Sequence, residues 1–365
     1  MRRFFQWLLR KPVTWFANKV SSSPEKQKIF ASLDKLYADI IAGKESAGCV
    51  VPFNIADAKF VIVSDQHKGG RDFADDFRLA ENNYRTALQY YYDKGFTLIS
   101  VGDCEELWEN TPSKVIETNR LVLLEEARFL QQGRYHRMFG NHDLEWKYEI
   151  QQNLYLKPVF GDKLKVCEGL LLNTTHNGQE YNVFITHGHQ GDQKSDGNWF
   201  STWVVAALWT PIQRFLEISI NTTSDSFELI DKHNVMMYEW SATQKNMIFV
   251  SGHTHKPVFA SLDHVDRLNK QLLKATELKE PAAIKLLEDE LKFRQAEYAG
   301  KKFHKTLAIP SYFNTGCCCF ADGDISLIEI NGDNISLVKW QEENKVSERI
   351  VLEHAPLSYV LEELS

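Results

Sequence analysis

Short apolar runs alternate with amphipathic helical stretches along the first half of this chain. Phe60–Val63 and Thr97–Val101 are short, mainly apolar runs, which are typical of strands buried on both faces. Apolar positions at helical spacing follow each run, over residues 75–93 and 113–132. A third, less regular strand is predicted at Tyr135–Phe139. Strands that alternate with helices predict βαβ units and a layered α/β core.

The remainder of the chain adds further elements of the same kinds. Mainly apolar runs predict strands over residues 166–172, 181–186 and 247–251. Near the carboxyl end, two alternating stretches flank Asn331-Gly332, which predicts a hairpin. Apolar residues also recur at helical spacing from Ile29 to Ile41 and predict a helix before the first strand.

These patterns divide the chain into three parts. We expect a helical extension over residues 1–55, a main domain over 56–345 and a C-terminal tail over 346–365. Two helical insertions interrupt the main domain, a Trp-rich one at about 192–246 and a charged one at about 261–302. The first is open to two interpretations, a lid over a site or a helical pair that extends the core. The second is interpreted as a solvated helical hairpin rather than a binding arm, because its charges are mixed.

The first 16 residues are basic and aromatic. Their apolar run is too short for a signal peptide, and no stretch of the chain reaches the roughly 18–20 apolar residues of a spanning helix. Residues 1–16 are therefore interpreted either as a helix that packs on the domain or as a segment that contacts a membrane surface. We expect a cytoplasmic protein, with peripheral contact at a membrane as the second interpretation.

Composition narrows the classes of partner. With 43% hydrophobic residues, the chain is long enough for a buried core, and its formal net charge is −7. Nucleic acid is not an expected partner, because binding to its backbone needs clustered Lys and Arg. None of the six cysteines forms a Cys-x-x-Cys pair, and the run Cys317–Cys319 is interpreted as small buried hydrophobic residues in a reducing compartment.

Five small polar clusters each begin within a residue or two of a predicted strand. They are Asp65-Gln66-His67, Gly102-Asp103, Gly140-Asn141-His142-Asp143, His187-Gly188-His189 and Gly252-His253-Thr254-His255. Loops at the carboxyl ends of strands in an α/β sheet converge on one crevice, so these groups are expected to meet. Carboxylate and imidazole suit Mn, Fe and Zn, and more than four such ligands can hold two ions if a carboxylate bridges them. Asp103 is the natural bridge.

In this order, the five clusters resemble the calcineurin-like metallophosphoesterase superfamily over Asp65 to His255. The resemblance implies a four-layer α/β/β/α sandwich with helical insertions and two divalent metal ions as cofactors, either Mn, Fe or Zn. It implies that one ion takes Asp65, His67 and His255, that the other takes Asn141, His187 and His253, and that Asp103 bridges them. It also implies that His142 faces the substrate and that Asp143 orients His142.

The implied reaction is the hydrolysis of a phosphoester or pyrophosphate bond. A hydroxide held between two ions about 3.5–4 Å apart attacks phosphorus in line, and His142 protonates the leaving oxygen. Other residues near the clusters are open to two interpretations each. Arg71 and Lys68 either bind phosphate or are solvated surface charges, His189 either contacts substrate or supports His187, and Glu106 either supports the ligands or takes part in catalysis.

Within the superfamily, two segments are similar to the bacterial hydrolases that act on UDP-2,3-diacylglucosamine. These are Gly102–Trp108 and Gly252–Pro257. That branch implies a lipid-linked substrate at the inner face of a membrane, whereas the superfamily at large implies a phosphorylated small molecule. The branch typically reads Gly-Asn-Arg-Asp where this chain reads Gly-Asn-His-Asp, the general form. A metal-binding scaffold without catalysis is the alternative from another class, and the complete set of ligands argues against it.

Overall fold

The computed structural model describes residues 25–72, 75–191, 227–261 and 309–364, with single helical positions between 272 and 288. The strands of this part of the chain are β1 (Gly48–Pro52), β2 (Lys59–Val63), β3 (Thr97–Val101), β4 (Tyr135–Met138), β5 (Val166–Cys167), β6 (Gly169–His176), β7 (Gln179–Thr186), β8 (Met247–Ser251), β9 (Tyr312–Asn314), β10 (Ile325–Asn331), β11 (Ile335–Glu343) and β12 (Val346–Ala355). The helices are α1 (Lys26–Ile41), α2 (Phe77–Asp93), α3 (Pro112–Thr118), α4 (Arg120–Gln131), α5 (Phe227–Ser241) and α6 (Leu357–Glu362). Short helical turns lie at Ile55–Asp57, Leu144–Lys147, Glu149–Gln151, Gln152–Leu156 and Lys157–Phe160.

The strands form two sheets. The larger has the order β12-β11-β10-β2-β3-β4-β5, and the smaller has the order β1-β6-β7-β8-β9. In the larger sheet β2 to β5 run parallel, while β10, β11 and β12 are joined antiparallel to that edge. In the smaller sheet β7, β8 and β9 are parallel neighbours. The carboxyl ends of parallel neighbours lie at one edge of each sheet, which is where the polar clusters follow.

The two sheets pack face to face and carry helices on their outer faces. In β2, Phe60 and Ile62 point into the core between the sheets, and Val61 and Val63 point towards the helices, as the alternation of a strand requires. Helices α2, α3 and α4 cover the larger sheet, and α1 and α5 cover the smaller one. The predicted four-layer α/β/β/α sandwich is confirmed.

One predicted strand proves to be two. Residues 166–172 were expected as a single strand, but β5 belongs to the larger sheet and β6 to the smaller one. The chain crosses between the sheets at Glu168, where the backbone N–H groups of Glu168 and Gly169 both donate to the carbonyl of Ala47, at 3.2 and 2.9 Å. A continuous apolar run is compatible with burial in either sheet, so the sequence pattern does not reveal the crossing.

The segments at both ends of the predicted main domain are built into the sandwich. Strand β1, expected within the extension 1–55, pairs parallel with β6, and α1 packs on the same sheet. Residues 346–364, expected as a tail, form β12 and α6. Leu357, Val360 and Leu361 of α6 are buried in the core between the sheets. Strand β12 is an edge strand with few buried residues, so it lacks the apolar alternation that marks a strand.

The Trp-rich insertion is described only over its last part. Met237 and Trp240 of α5 are buried against Phe184 and Phe249 of the smaller sheet, so this part extends the outer helical layer. The other three tryptophans of the insertion, most of 261–302 and residues 1–16 lie outside the described residues. Among the described helices, none is long and apolar enough to cross a membrane.

Candidate metal centre and active site

The loops after β2, β3 and β4 of the larger sheet meet the loops after β7 and β8 of the smaller one. They carry the seven predicted ligands, which are Asp65, His67, Asp103, Asn141, His187, His253 and His255. The structure places the seven in two adjacent groups with Asp103 between them.

The first group contains Asp65, His67 and His255. The Nε2 atoms of His67 and His255 are 3.2 Å apart, and Nε2 of His255 is 3.3 Å from Oδ1 of Asp65. Ligands bound about 2.0–2.2 Å from one cation lie roughly 3 Å from each other, which is the spacing seen here. Oδ2 of Asp103 lies 3.7 Å from Nε2 of His67, at the edge of this group.

The second group contains Asn141, His187 and His253. Nε2 of His187 is 3.1 Å from Oδ1 of Asn141 and 3.2 Å from Oδ2 of Asp103. The nearest ligand atoms of Asp103, His187 and His253 all lie within 4.8 Å of one another. The same carboxylate oxygen of Asp103 is therefore within reach of both groups, as a bridging ligand requires.

Two buried atoms of these groups lack hydrogen-bond partners within the described residues. They are Oδ1 of Asp65 and Nε2 of His253, which belong to side chains almost fully removed from solvent. An unsatisfied buried polar atom costs on the order of 1–3 kcal/mol, and more when it is charged. Divalent cations at the two groups would satisfy both atoms, so the donor set fits the implied metal ions.

The imidazoles are held with Nε2 towards the groups. Nδ1 of His187 lies 2.8 Å from the carbonyl of Val101, and Nδ1 of His67 lies 3.0 Å from Oε2 of Glu106. A partner that accepts at Nδ1 fixes the proton on that nitrogen and leaves Nε2 as the donor atom for a metal. The structure thus places Glu106 as a supporting partner of His67.

The backbone is strained where the ligands lie. Positive φ angles occur at Asp65, His67, Asp103, His253 and His255. Each such angle costs a residue other than glycine about 1–2 kcal/mol, and strain of this kind concentrates at functional sites. Gly140 and Gly252 have ordinary φ angles but leave no room for a side chain, because a Cβ at Gly140 would collide with Asp103 and one at Gly252 would collide with Asp65.

His142 lies beside the first group and is oriented by two neighbours. Its ring stacks on Trp108 at a centroid distance of 3.8 Å, and its Nδ1 is 2.7 Å from Oε2 of Glu106. The side chain is 17% exposed, so it can meet a ligand from outside. Because Nδ1 is occupied by Glu106, Nε2 is the ring nitrogen available to a substrate.

The hydrogen bonds of Asp143 go to backbone groups, whereas the ring of His142, which Asp143 was expected to orient, has Glu106 at its Nδ1. The Asp143 carboxylate accepts from the backbone N–H groups of Gly140, Cys104 and Asp103, at 2.6, 2.9 and 3.2 Å. Asp143 therefore ties the loop after β4 to the loop after β3. Burial raises the pKa of its carboxyl to about 7, with a further contribution from Asp103.

Charge in the metal-free site is shared between imidazoles and carboxylates. Burial lowers the pKa of His187, but Asp103 and Asp65 outweigh it and raise the value to about 9. Burial raises the pKa of Glu106, but His142 and His67 outweigh it and lower the value to about 2. Glu106 is thus ionised at neutral pH.

Each of the predicted substrate contacts is either buried or paired with another side chain. Lys68 is fully buried and pairs with Glu126 at 2.9 Å, so it is neither a phosphate ligand nor a solvated charge. The Arg71 guanidinium is paired with Glu81, through a hydrogen bond of 2.8 Å among others. His189 is buried behind His187, and burial together with His187 lowers its pKa to about 3. His189 is placed to support His187.

One loop at the site was not expected from the sequence. It follows β9, and Cys319 in this loop lies within 4.8 Å of the ligand atoms of His67 and His255. Strand β9 is only three residues long, which is too short for a periodic pattern. The available signal was Phe313-Asn314-Thr315-Gly316, an apolar residue followed by polar residues and a glycine, as at the other clusters.

The sequence profile described as calcineurin-like phosphoesterase matches residues 58–257, more than half of the chain. The chain belongs to this family. The matched range contains all seven predicted ligand residues and His142, and membership of the calcineurin-like phosphoesterases supports a metal-dependent hydrolase that acts on phosphoesters.

Other comparisons add little to this assignment. Among solved structures, vacuolar protein sorting 29 from Cryptosporidium parvum is similar at 10% identity and a TM-score of 0.30, over 82% of this chain and 98% of that one. No curated protein matches the sequence. The calcineurin-like phosphoesterase profile therefore carries the assignment alone.

Proposed function

We propose that this chain is a dinuclear metal-dependent phosphoesterase. The observation that supports this most is the position of Asp103, whose Oδ2 lies 3.2 Å from Nε2 of His187 and 3.7 Å from Nε2 of His67. One ion would be held by Asp65, His67 and His255, and the second by Asn141, His187 and His253. Asp103 would be shared. When bound, such a pair supplies an activated water and neutralises charge on the phosphoryl oxygens.

The residues around the metal ligands have separate tasks in this proposal. His142 donates a proton from Nε2 to the leaving oxygen, and its ring lies 4.6 Å from that of His67. Glu106 accepts from Nδ1 of His142 and orients the ring. Trp108 holds the plane of the ring by stacking and donates its indole N–H to the carbonyl of Asn141 at 2.8 Å.

The proposed substrate is a phosphorylated small molecule or a lipid-linked phosphoester rather than nucleic acid. A formal net charge of −7 disfavours binding to a long phosphate backbone. In the described residues near the site, Lys68 and Arg71 are paired with carboxylates, so in this proposal the metal ions would supply positive charge to the phosphoryl group.

Turnover of a chromogenic substrate tests the proposed reaction. Metal-stripped protein would be reconstituted with Mn, Fe or Zn and assayed with bis-p-nitrophenyl phosphate and p-nitrophenyl phosphate. We expect hydrolysis with at least one metal and none in the stripped protein. A panel of phosphomonoesters, phosphodiesters and nucleotide-sugar lipids would then separate the substrate classes. Protein that binds the metals and remains inert towards the whole panel would support the scaffold alternative.

Metal binding is expected to strengthen as the pH rises. His187 has a pKa of about 9 in the metal-free fold, above the ordinary value of 6.5, so a metal must displace its proton at neutral pH. The stabilisation that this raised pKa gives the metal-free fold is fully present below pH 6.5 and is lost as the pH rises to about 9. The increase in Tm on adding Zn should therefore grow between pH 6.5 and 9. A constant or shrinking increase over that range would contradict the assignment of His187 as a ligand.

A further inference from the structure

The loop after β9 brings a thiol to the first group of ligands. Cys319 is 9% exposed, and its sulfur lies within 4.8 Å of the ligand nitrogens of His67 and His255. Those two nitrogens are 3.2 Å apart. The three atoms therefore surround one point, as ligands of a single cation do. The family's sequence motifs, which carry the ligands from Asp65 to His255, do not include this residue.

A second observation points to a ligand at the same place. Oδ1 of Asp65 is fully buried, has no hydrogen-bond partner within the described residues and lies 3.3 Å from Nε2 of His255. It is thus directed at the point that the thiol and the imidazoles surround. A cation there would have two nitrogens, a carboxylate oxygen and a sulfur around it, besides the shared Asp103.

The loop is held firmly in this position. The backbone N–H of Cys318 donates to the carbonyl of Asp65 at 3.1 Å, and the hydroxyls of Thr315 and Ser64 are 2.6 Å apart. The N–H of Ser326 donates to the carbonyl of Cys317 at 2.9 Å. The loop is therefore tied to the loop after β2, which carries Asp65 and His67, so the backbone that bears the thiol is fixed relative to these residues.

The neighbouring cysteine faces the other way. Cys318 is fully buried among the residues that pack between the larger sheet and its helices, and its thiol points to the carbonyl of Ser326 at 3.8 Å. The two thiols therefore have different surroundings, and Cys318 is not placed to bind the cation that Cys319 approaches. Cys318 is consequently a matched control, one residue away and with the same chemistry.

We propose that Cys319 is a thiolate ligand at the cation site of Asp65, His67 and His255, and that it makes this site selective for a thiophilic divalent ion. On binding, the S–H bond breaks, the proton leaves to solvent and the sulfur donates its electron pair to the cation. Thiolate favours Zn, Fe and Co over Mn, which prefers oxygen ligands. The inference rests on the proposed dinuclear site and adds to it a metal preference that the histidines and carboxylates alone do not impose.

Cobalt spectroscopy tests this inference without using activity. Metal-stripped protein, Cys319→Ala and Cys318→Ala would each be titrated with Co²⁺, with circular dichroism as the check on folding. Wild-type protein and Cys318→Ala should show visible d–d bands together with a near-ultraviolet sulfur-to-cobalt charge-transfer band. Cys319→Ala should keep the d–d bands and lose the charge-transfer band. It should also lose about tenfold or more in its preference for Co²⁺ over Mn²⁺ in a competition titration.

The possible results separate this inference from the proposed function. A charge-transfer band that is absent from wild-type protein, or that persists in Cys319→Ala, would overturn the role of Cys319 and leave the dinuclear site standing. Failure of wild-type protein to bind Co²⁺ at all would overturn the proposed function as well. If Cys319→Ala does not fold, Cys319→Ser provides the same comparison, because an uncharged hydroxyl gives no sulfur band.

Discussion

Asp103→Ala is expected to abolish turnover and to leave less than one tightly bound metal ion per chain. Its Oδ2 lies 3.7 Å from Nε2 of His67 and 3.2 Å from Nε2 of His187, so both ions would lose a ligand at once. 

Oδ1 of Asp65 is 3.8 Å from Nε2 of His67 and 4.0 Å from Nε2 of His187, but it lies closest to Nε2 of His255, at 3.3 Å, and is therefore assigned to the first group. The turnover rate of Asp103→Ala should fall by more than about 10⁴-fold, which exceeds the decrease expected when only a general acid is removed. Metal analysis and turnover of bis-p-nitrophenyl phosphate measure the two effects.

The matched control is Asp162→Ala, which removes an exposed aspartate on a turn away from the site. It should retain full metal content and activity. Asp103 also accepts from the backbone N–H of His142 at 2.7 Å, so folding of the variant must be checked by circular dichroism. A folded Asp103→Ala protein that keeps both ions would show that this carboxylate does not bridge them.

His142→Ala is expected to slow turnover by about 10²–10⁴-fold while the metal ions stay bound. The ring of His142 is held by Glu106 and Trp108, and its proposed task is to supply a proton to the leaving oxygen. The loss should be smaller for p-nitrophenyl esters than for alkyl esters, because nitrophenolate leaves without needing a proton. Comparison of kcat for the two kinds of ester measures this difference.

His176→Ala is the control for the loss of an imidazole, since His176 pairs with Glu362 at a distance from the ligands. It should leave both metal content and kcat unchanged. If His142→Ala lost its metal ions, His142 would be acting as a ligand. If it slowed both kinds of ester equally, its proposed role as an acid would be wrong.

The layered fold was predictable because its central strands are short and apolar on both faces. Phe60–Val63 and Thr97–Val101 satisfy this pattern, and both are strands at the centre of the larger sheet. The crossing of the chain from the larger to the smaller sheet at Glu168 was not predictable, because strands buried in either sheet have the same residue types. Strand β12 was not predicted, because an edge strand with an exposed face does not require an apolar run.

The residues of the candidate site were predictable from the sequence, but the contacts between their side chains were not. Glycine and polar residues after apolar runs identified the loops, and the structure brings those loops together. The resemblance implied that Asp143 orients His142, whereas in the structure Glu106 reaches the ring from another loop. Lys68 follows His67 directly, yet its side chain points into the core, a direction that depends on the strained backbone of the loop.

Metal titration of the stripped protein, with activity followed at each addition, tests the central claim most directly. A dinuclear centre predicts binding of roughly two ions per chain, with turnover that appears mainly as the second site fills. Asp103→Ala should show neither the stoichiometry nor the turnover. Full activity at one bound ion per chain, or no high-affinity binding of Mn, Fe or Zn, would contradict the account.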